Sequence, residues 1–377
     1  MKILQIYNIA PHYRSAIFQM IDRELGCDLV VGDKVADIKK MDYSLLTHKV
    51  TEVHNVPFIK YFYFQKGVPS LIRADYDAYI VTGDTHCISN WFLLFLSCLY
   101  PKKKVFLWSH GMLGKEIWLK RIIIRLFYAL ADGAFIYNER SRKMMIDLGI
   151  PPKKLTTVYN SLDYDVQLPI RNSLTTCDIY KRHFCNDNKT LVFIGRLTAV
   201  KRLDMIIDAM HVLAQRGEYY NFVFVGDGIM RKELEEQVRV LNLHKQVWFY
   251  GACYDEKTNA ELIYNADLCV SPGNIGLTAI HVMMFGCPAI TNDDFNHQMP
   301  EFEAIKDGQT GGFFKEGDVE SLADAISIWF EQHDNERDGV RRACYHMIDS
   351  KWNPHNQIKI LKSVLYANVA SNKHQCQ

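Results

Sequence analysis

Leu191-Val192-Phe193-Ile194-Gly195-Arg196-Leu197-Thr198-Ala199-Val200-Lys201 decides the reading of this chain. Four apolar residues in a row suit a strand buried on both faces, and the run stops at a glycine. A helical pattern follows, with Leu203, Ile206, Ile207, Met210 and Leu213 on one face. Strand, short loop and helix make the βα unit of a parallel sheet, whose ligands sit at the carboxyl ends of the strands. Arg196 and Lys201 stand on that loop. A helix N-terminus disfavours cations through its dipole, so Lys201 and Arg202 beside one imply an anion for them to meet; the plainer alternative is a pair of solvated charges.

Outward from this unit the pattern repeats. Downstream, strand-like runs stand at Phe222–Val225, Val247–Tyr250, Leu268–Val270 and Ala289–Thr291; upstream they stand at Ile3–Tyr7, Leu29–Val31, Tyr79–Val81, Val105–Trp108, Phe135–Tyr137 and Leu155–Val158. Residues 165–189 interrupt the rhythm with Pro169, Asn172, Ser173, Thr175, Thr176, Asn186, Asp187 and Asn188, a connecting composition. The expected fold class is therefore α/β with two Rossmann-like domains facing each other across a cleft. The first domain is expected over 1–165, a linker over 166–189, the second domain over 190–350, and over 351–377 a final helix packing back on the first domain.

The bulk numbers agree with two ordinary cores. The chain has 377 residues, 48% of them apolar and 23% charged, which excludes one small binding module, a fibre and a disordered chain. Residues 1–165 carry a net charge of +6 and the remainder −5, an asymmetry that suggests different partners for the two halves. Ten cysteines are scattered with no Cys-x-x-Cys pair, as expected of reduced thiols in a cytoplasmic protein rather than of disulfides or a zinc site. Met1–Tyr7 reads as a strand and not as a leader's apolar stretch, and Trp91–Tyr100 is about half the length of a spanning helix.

Two further loops join the first. Val225-Gly226-Asp227-Gly228 follows a strand, with glycines that admit a ligand to the backbone or simply make a turn. Ser271-Pro272-Gly273-Asn274-Ile275-Gly276-Leu277 closes a strand and opens a helix whose first amides are expected to be bare, an anion site or an ordinary turn. In the first half, His12, Tyr13 and Arg14 follow the first strand and are expected to meet an acceptor or a donor phosphate, against the alternative of a satisfied loop histidine.

Gly195-Arg196-Leu197 with Lys201, Val225-Gly226-Asp227-Gly228, Gly251, Ala266-Asp267, Gly286-Cys287-Pro288 and Pro300-Glu301 together resemble the donor-binding domain of family-4 retaining glycosyltransferases of the GT-B fold. The resemblance implies a nucleotide-diphosphate sugar, expected to be UDP-linked, held by Gly195, Gly226, Asp227, Gly228, Gly273, Asn274, Ile275, Gly276, Leu277 and His281. Arg196 and Lys201 would serve the diphosphate. His110 in Trp108-Ser109-His110-Gly111 matches the family's active-site histidine, and Tyr159-Asn160-Ser161-Leu162-Asp163 resembles its domain junction. The family's two glutamates, seven residues between them, are replaced by Gly273 and His281, so the contacts to sugar and ribose must be made differently; Asn274 is the candidate for the sugar. The implied activity is metal-independent transfer of a hexosyl or N-acetylhexosaminyl group, without cofactor, to a saccharide or lipid-linked acceptor in surface polysaccharide biosynthesis. The rivals are a nucleotide-sugar-binding protein that has lost catalysis and an epimerase or phosphorylase on the same fold.

Other signals carry less. Asp75-Tyr76-Asp77 and Asp163-Tyr164-Asp165 have the form of a metal clamp, but the first precedes a strand and the second sits in the linker approach, so solvated turns are expected and no metal site. Trp118, Arg121, Arg125 and Tyr128 form a stripe at helical spacing within Lys115–Leu130, suited to the inner face of an anionic membrane or to an ordinary core helix. Lys and Arg are dispersed and no nucleic-acid motif is present, so nucleic acid is not an expected partner.

Overall fold

The computed structural model describes residues 1–35 and 38–373, with side chains to residue 367. It divides into two compact units: Met1–Asp163 with the stretch from Asn353 onward, and Tyr164–Trp352. In chain order the strands are β1 (Ile3–Tyr7), β2 (Cys27–Gly32), β3 (Val50–Val53), β4 (Asn55–Ile59), β5 (Phe62–Gln65), β6 (Ala78–Thr82), β7 (Lys104–Ser109), β8 (Gly133–Ile136), β9 (Leu155–Thr157), β10 (Thr190–Ile194), β11 (Asn221–Val225), β12 (Val247–Gly251), β13 (Leu268–Ser271), β14 (Ala289–Asn292) and β15 (Gly311–Phe314). The α-helices are α1 (Ser15–Leu25), α2 (Ile88–Ser97), α3 (Trp118–Leu130), α4 (Glu139–Asp147), α5 (Tyr164–Ser173), α6 (Ile179–Phe184), α7 (Asp204–Gln215), α8 (Arg231–Val240), α9 (Glu256–Asn265), α10 (Thr278–Met284), α11 (Val319–His333), α12 (Arg337–Ser350) and α13 (Pro354–Lys373).

The first unit holds a seven-stranded sheet of order β3-β2-β1-β6-β7-β8-β9, all parallel. Its central strands are apolar on both sides because helices cover both faces. Ile3, Tyr7, Phe106, Trp108 and Phe135 face one core and Leu4, Ile6, Tyr79, Val81 and Leu107 the other. Helix α13 completes the first core with Leu361 and Leu365 and lies against α1, where Lys362 pairs with Glu24 at 2.8 Å. Its anchor is Gln357, fully buried, which donates to the Tyr159 carbonyl at 2.8 Å and accepts from the Ser161 hydroxyl at 2.6 Å. The last four residues of the expected final helix lie outside the described residues.

The second unit has a six-stranded parallel sheet of order β12-β11-β10-β13-β14-β15. Strand order reverses between β10 and β13, which sets the loops after these two strands side by side at the carboxyl edge. The stretch 166–189, expected as a linker, instead folds mostly into α5 and α6 within this unit. Arg171 forks onto Asp349 at 2.9 and 3.0 Å, and the buried Tyr180 hydroxyl donates to the Leu262 carbonyl at 2.6 Å. These tertiary anchors override a polar, Pro-containing sequence whose local preferences are those of a loop.

Candidate functional site

Glycines bring the β10 and β11 loops into backbone contact. Gly226 has φ +147°, and a Cβ there would come within 1.9 Å of the Gly195 carbonyl oxygen; the same addition at Gly228 would meet the Leu197 oxygen at 2.3 Å. The Leu197 amide donates to the Asp227 carbonyl at 3.0 Å, fixing one loop on the other. Asp227 is spent locally: its carboxylate accepts from the Gly228 amide at 2.7 Å and pairs with Arg231 at 3.6 Å. Arg196 is exposed on the loop and makes no hydrogen bond or ion pair among the described residues.

The loop from Pro272 to Leu277 is held from beneath. Thr291, Asn292 and Gln298 all donate to the Gly273 carbonyl, at 3.1, 3.2 and 3.1 Å, and Gln298 also accepts from the Ile275 amide at 2.9 Å. Asn274 donates its side-chain amide to the His297 carbonyl at 3.1 Å. Lys201 closes the other side, its ammonium bonded to the Asn274 carbonyl and at 3.4 Å from that of Ile275. Burial lowers the pKa of this lysine. With the carbonyls thus satisfied, the amides of Gly276, Leu277 and Thr278 have no acceptor among the described residues. Thr278 ties the start of α10 to the Ile194 carbonyl at 3.2 Å, beside Gly195. Two cations and a run of open amides at one strand edge form an arrangement that attracts a polyanion.

His281, one turn further along α10, is not a lone replacement for a carboxylate. Its Nε2 lies 2.9 Å from Glu256 Oε1, the same oxygen to which the buried Gln167 donates at 2.7 Å. Burial works against the charge of Glu256, yet the bonds from His281 and Gln167 hold its carboxyl below the usual range. An ionised acceptor requires the hydrogen on Nε2, which in the neutral ring leaves Nδ1 as the acceptor. Glu256, Gln167, Gln298, Thr291 and Asn292 escape sequence reasoning. They are ordinary polar residues on other elements, and only the helix N-cap Asp255, which accepts from the Thr258 amide at 2.8 Å, marks where Glu256 begins α9.

In the first unit, His12, Tyr13 and Arg14 follow β1 and His110 follows β7, so the sheet places all four at its carboxyl edge. Their environments differ. His12 and Tyr13 are exposed, the His12 ring at 3.3 Å from the Lys39 carbonyl. Arg14, expected to meet a ligand, is instead buried: it donates to the Tyr7 hydroxyl, and its guanidinium lies 5.0–5.6 Å from the ring centres of Trp108, Tyr7, Tyr137 and Phe18. Its Nε and Nη2 have no hydrogen-bond acceptor among the described residues, so the aromatic faces carry the charge. The His110 ring keeps an accessible face and lies 4.9 Å from that of Tyr137. Desolvation by the surrounding protein and the Arg14 charge push its pKa down to about 4, so the imidazole is neutral at pH 7.

Of the two Asp-x-Asp pairs, Asp75 and Asp77 are engaged at the amino end of β6 by the Lys2 ammonium and the Lys2 amide. Among the described residues no group of three or more His, Cys, Asp or Glu is arranged to hold a metal ion, and no helix is long and apolar enough to cross a membrane.

Residues 179–345, within the second unit, match the family glycosyl transferases group 1. A Bacillus subtilis protein provisionally designated the glycosyltransferase EpsD is 30% identical over 149 residues, 39% of this chain and 37% of its own length. The chain thus spans little more than a third of that relative. A Campylobacter jejuni protein named as an α-1,4-N-acetyl-D-galactosaminyltransferase for a PP-undecaprenol-linked saccharide is 22% identical over 82% of this chain and 79% of its own length. Among solved structures, HepE of Anabaena, crystallised with UDP, superposes with a TM-score of 0.70 at 16% identity, covering 97% of this chain and all of that one. These matches assign the two parallel-sheet units to the GT-B fold, and within the second unit residues 179–345 are similar to glycosyl transferases group 1.

Proposed function

We propose that this protein transfers a hexosyl or N-acetylhexosaminyl group from a nucleotide-diphosphate sugar, UDP-linked, to a saccharide or lipid-linked saccharide, with retention at the anomeric carbon. The observation that carries this reading is the second unit's strand edge, where Arg196 and Lys201 stand with the open amides of Gly276, Leu277 and Thr278. The UDP in HepE and the lipid-diphosphate acceptor in the Campylobacter protein's name support the donor and acceptor classes.

In the reaction the bond between the anomeric carbon and the β-phosphate oxygen breaks while the acceptor oxygen bonds to that carbon on the same face. The acceptor's proton passes to the departing phosphate. Negative charge grows on the diphosphate, and preorganised donors stabilise it most in the transition state. Arg196 serves as the direct charge partner. Lys201 fixes the amide-bearing loop and adds its own field. His110, neutral at pH 7, orients the sugar by a hydrogen bond. Asn274 meets the sugar hydroxyls in place of the family's first glutamate, and His281, with Nε2 committed to Glu256, offers Nδ1 to a ribose hydroxyl. No metal takes part. Transfer with UDP- and GDP-sugars tests the reading: Arg196→Ala is expected to cost about 1.5–3 kcal/mol of binding or transition-state energy, the worth of a charge-assisted bond, and EDTA to leave the rate unchanged. Unaltered affinity and turnover in Arg196→Ala would refute the site, and rescue of an EDTA-stopped reaction by Mg²⁺ would refute metal independence.

A second reading has an observation of its own. Gly273 carries no carboxylate and has no room for one, which favours a nucleotide-sugar-binding protein without turnover. Donor binding with no transfer to any acceptor would decide for it.

A further inference from the structure

We propose that a face of the first unit built by the β4–β5 hairpin, α2 and α3 seats the protein on an anionic lipid surface. Helix α3 buries Ile124, Phe127 and Tyr128, so Tyr128, with its hydroxyl bonded to Ser109, drops out of the stripe expected from sequence. The opposite face should be polar in a water-exposed helix. Instead Trp118, Ile122 and Leu126 are 72%, 46% and 56% exposed. Between them stand Lys120, Arg121 and Arg125, with no carboxylate anywhere in the helix. Helix α2 has no charged residue and exposes Phe92 and Phe95, and Leu99, two residues past its end, is exposed as well. The hairpin exposes Phe58, Ile59 and Tyr61, and its only charge is Lys60.

These three elements are joined. Trp91 of α2 packs its ring 4.8 Å from that of Phe127 of α3, and the Tyr63 amide of β5 donates at 3.1 Å to the His86 carbonyl just before α2. So much exposed aromatic and aliphatic surface in one place marks a contact surface rather than scattered apolar residues. Charge selects the partner. A second copy joined about a two-fold axis would bring this face against itself, cation against cation. A nucleic acid would satisfy the cations but leave the aromatic rings uncovered. An anionic bilayer matches both, with rings and branched chains at the headgroup–acyl boundary and Lys and Arg at the phosphates.

The test is flotation of the full chain with vesicles of phosphatidylcholine alone and of phosphatidylcholine with roughly 30 mol% phosphatidylglycerol. Binding to the anionic vesicles is expected to exceed that to neutral ones by at least about tenfold and to fall as salt is added. Lys60→Ala with Lys120→Ala should reduce it about tenfold or more. Phe58→Ser with Trp118→Ser should also reduce it, while melting temperature and stabilisation by UDP stay unchanged. Equal or absent binding to the two vesicle types, or indifference to these substitutions, would overturn the proposal. A concentration-dependent dimer in sedimentation velocity, lost in Phe58→Ser/Trp118→Ser, would assign the face to a second copy and overturn it as well. The outcome is independent of the donor reading, since lipid and nucleotide are scored separately.

Discussion

A Cβ placed on Gly273 would lie 2.1 Å from the Val200 carbonyl oxygen and 2.8 Å from Lys201 Cα, both backbone atoms that cannot swing aside. The Gly273 amide meanwhile donates to the Lys201 carbonyl at 2.9 Å, so the close approach is itself a hydrogen bond. Gly273→Ala is therefore expected to destabilise the chain by about 1–3 kcal/mol in denaturant unfolding, the usual cost of overpacking. Gly273→Glu should fail to restore a family-like carboxylate; a variant that folds normally and turns over faster would contradict this. Arg14 and His110 make the second residue-scale case. Because His110 titrates below its ordinary value, the unfolded state binds its proton more readily between about pH 6.5 and 4, and stability falls as pH drops through that window. His110→Gln should flatten this acid limb, and Arg14→Met should raise the His110 pKa toward its ordinary value in an NMR titration. A titration unmoved by Arg14→Met would show that the guanidinium does not act on the ring.

At the scale of elements, the turn after β10 and the loop before α10 are tied together because the Lys201 ammonium bridges them. Lys201→Met should raise amide hydrogen exchange at residues 274–278 and weaken UDP binding together, whereas Arg196→Ala should weaken binding with exchange unchanged. Protected amides in Lys201→Met would remove the positioning role. Much of this architecture was legible in the sequence. Runs such as Leu191–Ile194 and Val105–Trp108 are apolar without alternation because helices cover both faces of the sheet, whereas a strand with one solvated face would alternate apolar with polar residues. The cation-bearing loop was legible for the same reason, since it begins where such a run stops. Three strand regions were not. The β4–β5 hairpin turns at Lys60-Tyr61, with Lys60 at φ +43°, and no Gly or Asn marks the turn. β3 is short at the sheet edge, and β15 opens with Gly311-Gly312, residues that argue against a strand. Glu256 and Gln298 were invisible because their partners are 25 and 23 residues away in sequence and their identities are common surface choices.

For the whole molecule, chain order and unit order disagree, because the chain leaves the second unit at Trp352 and returns to finish the first. Gln357, Leu361 and Leu365 are all buried in the first unit, and Gln357 satisfies both the Tyr159 carbonyl and the Ser161 hydroxyl. Tyr159 is held at φ +58°, a conformation that costs a non-glycine residue free energy and persists only when its surroundings fix it. Removing residues 354–377 would expose the β1–α1 core, undo these bonds and release Tyr159. Each buried leucine lost is worth about 2–3 kcal/mol of apolar transfer, so two of them are comparable with the whole stability of a domain. The second unit keeps all its strands and every group of the candidate donor site. The truncated chain is therefore expected to lose the calorimetric transition of the first unit while retaining a second transition that UDP still shifts upward. Losing both transitions would mean that the units fold as one cooperative body. Keeping both unchanged would mean that α13 adds nothing to the core it covers.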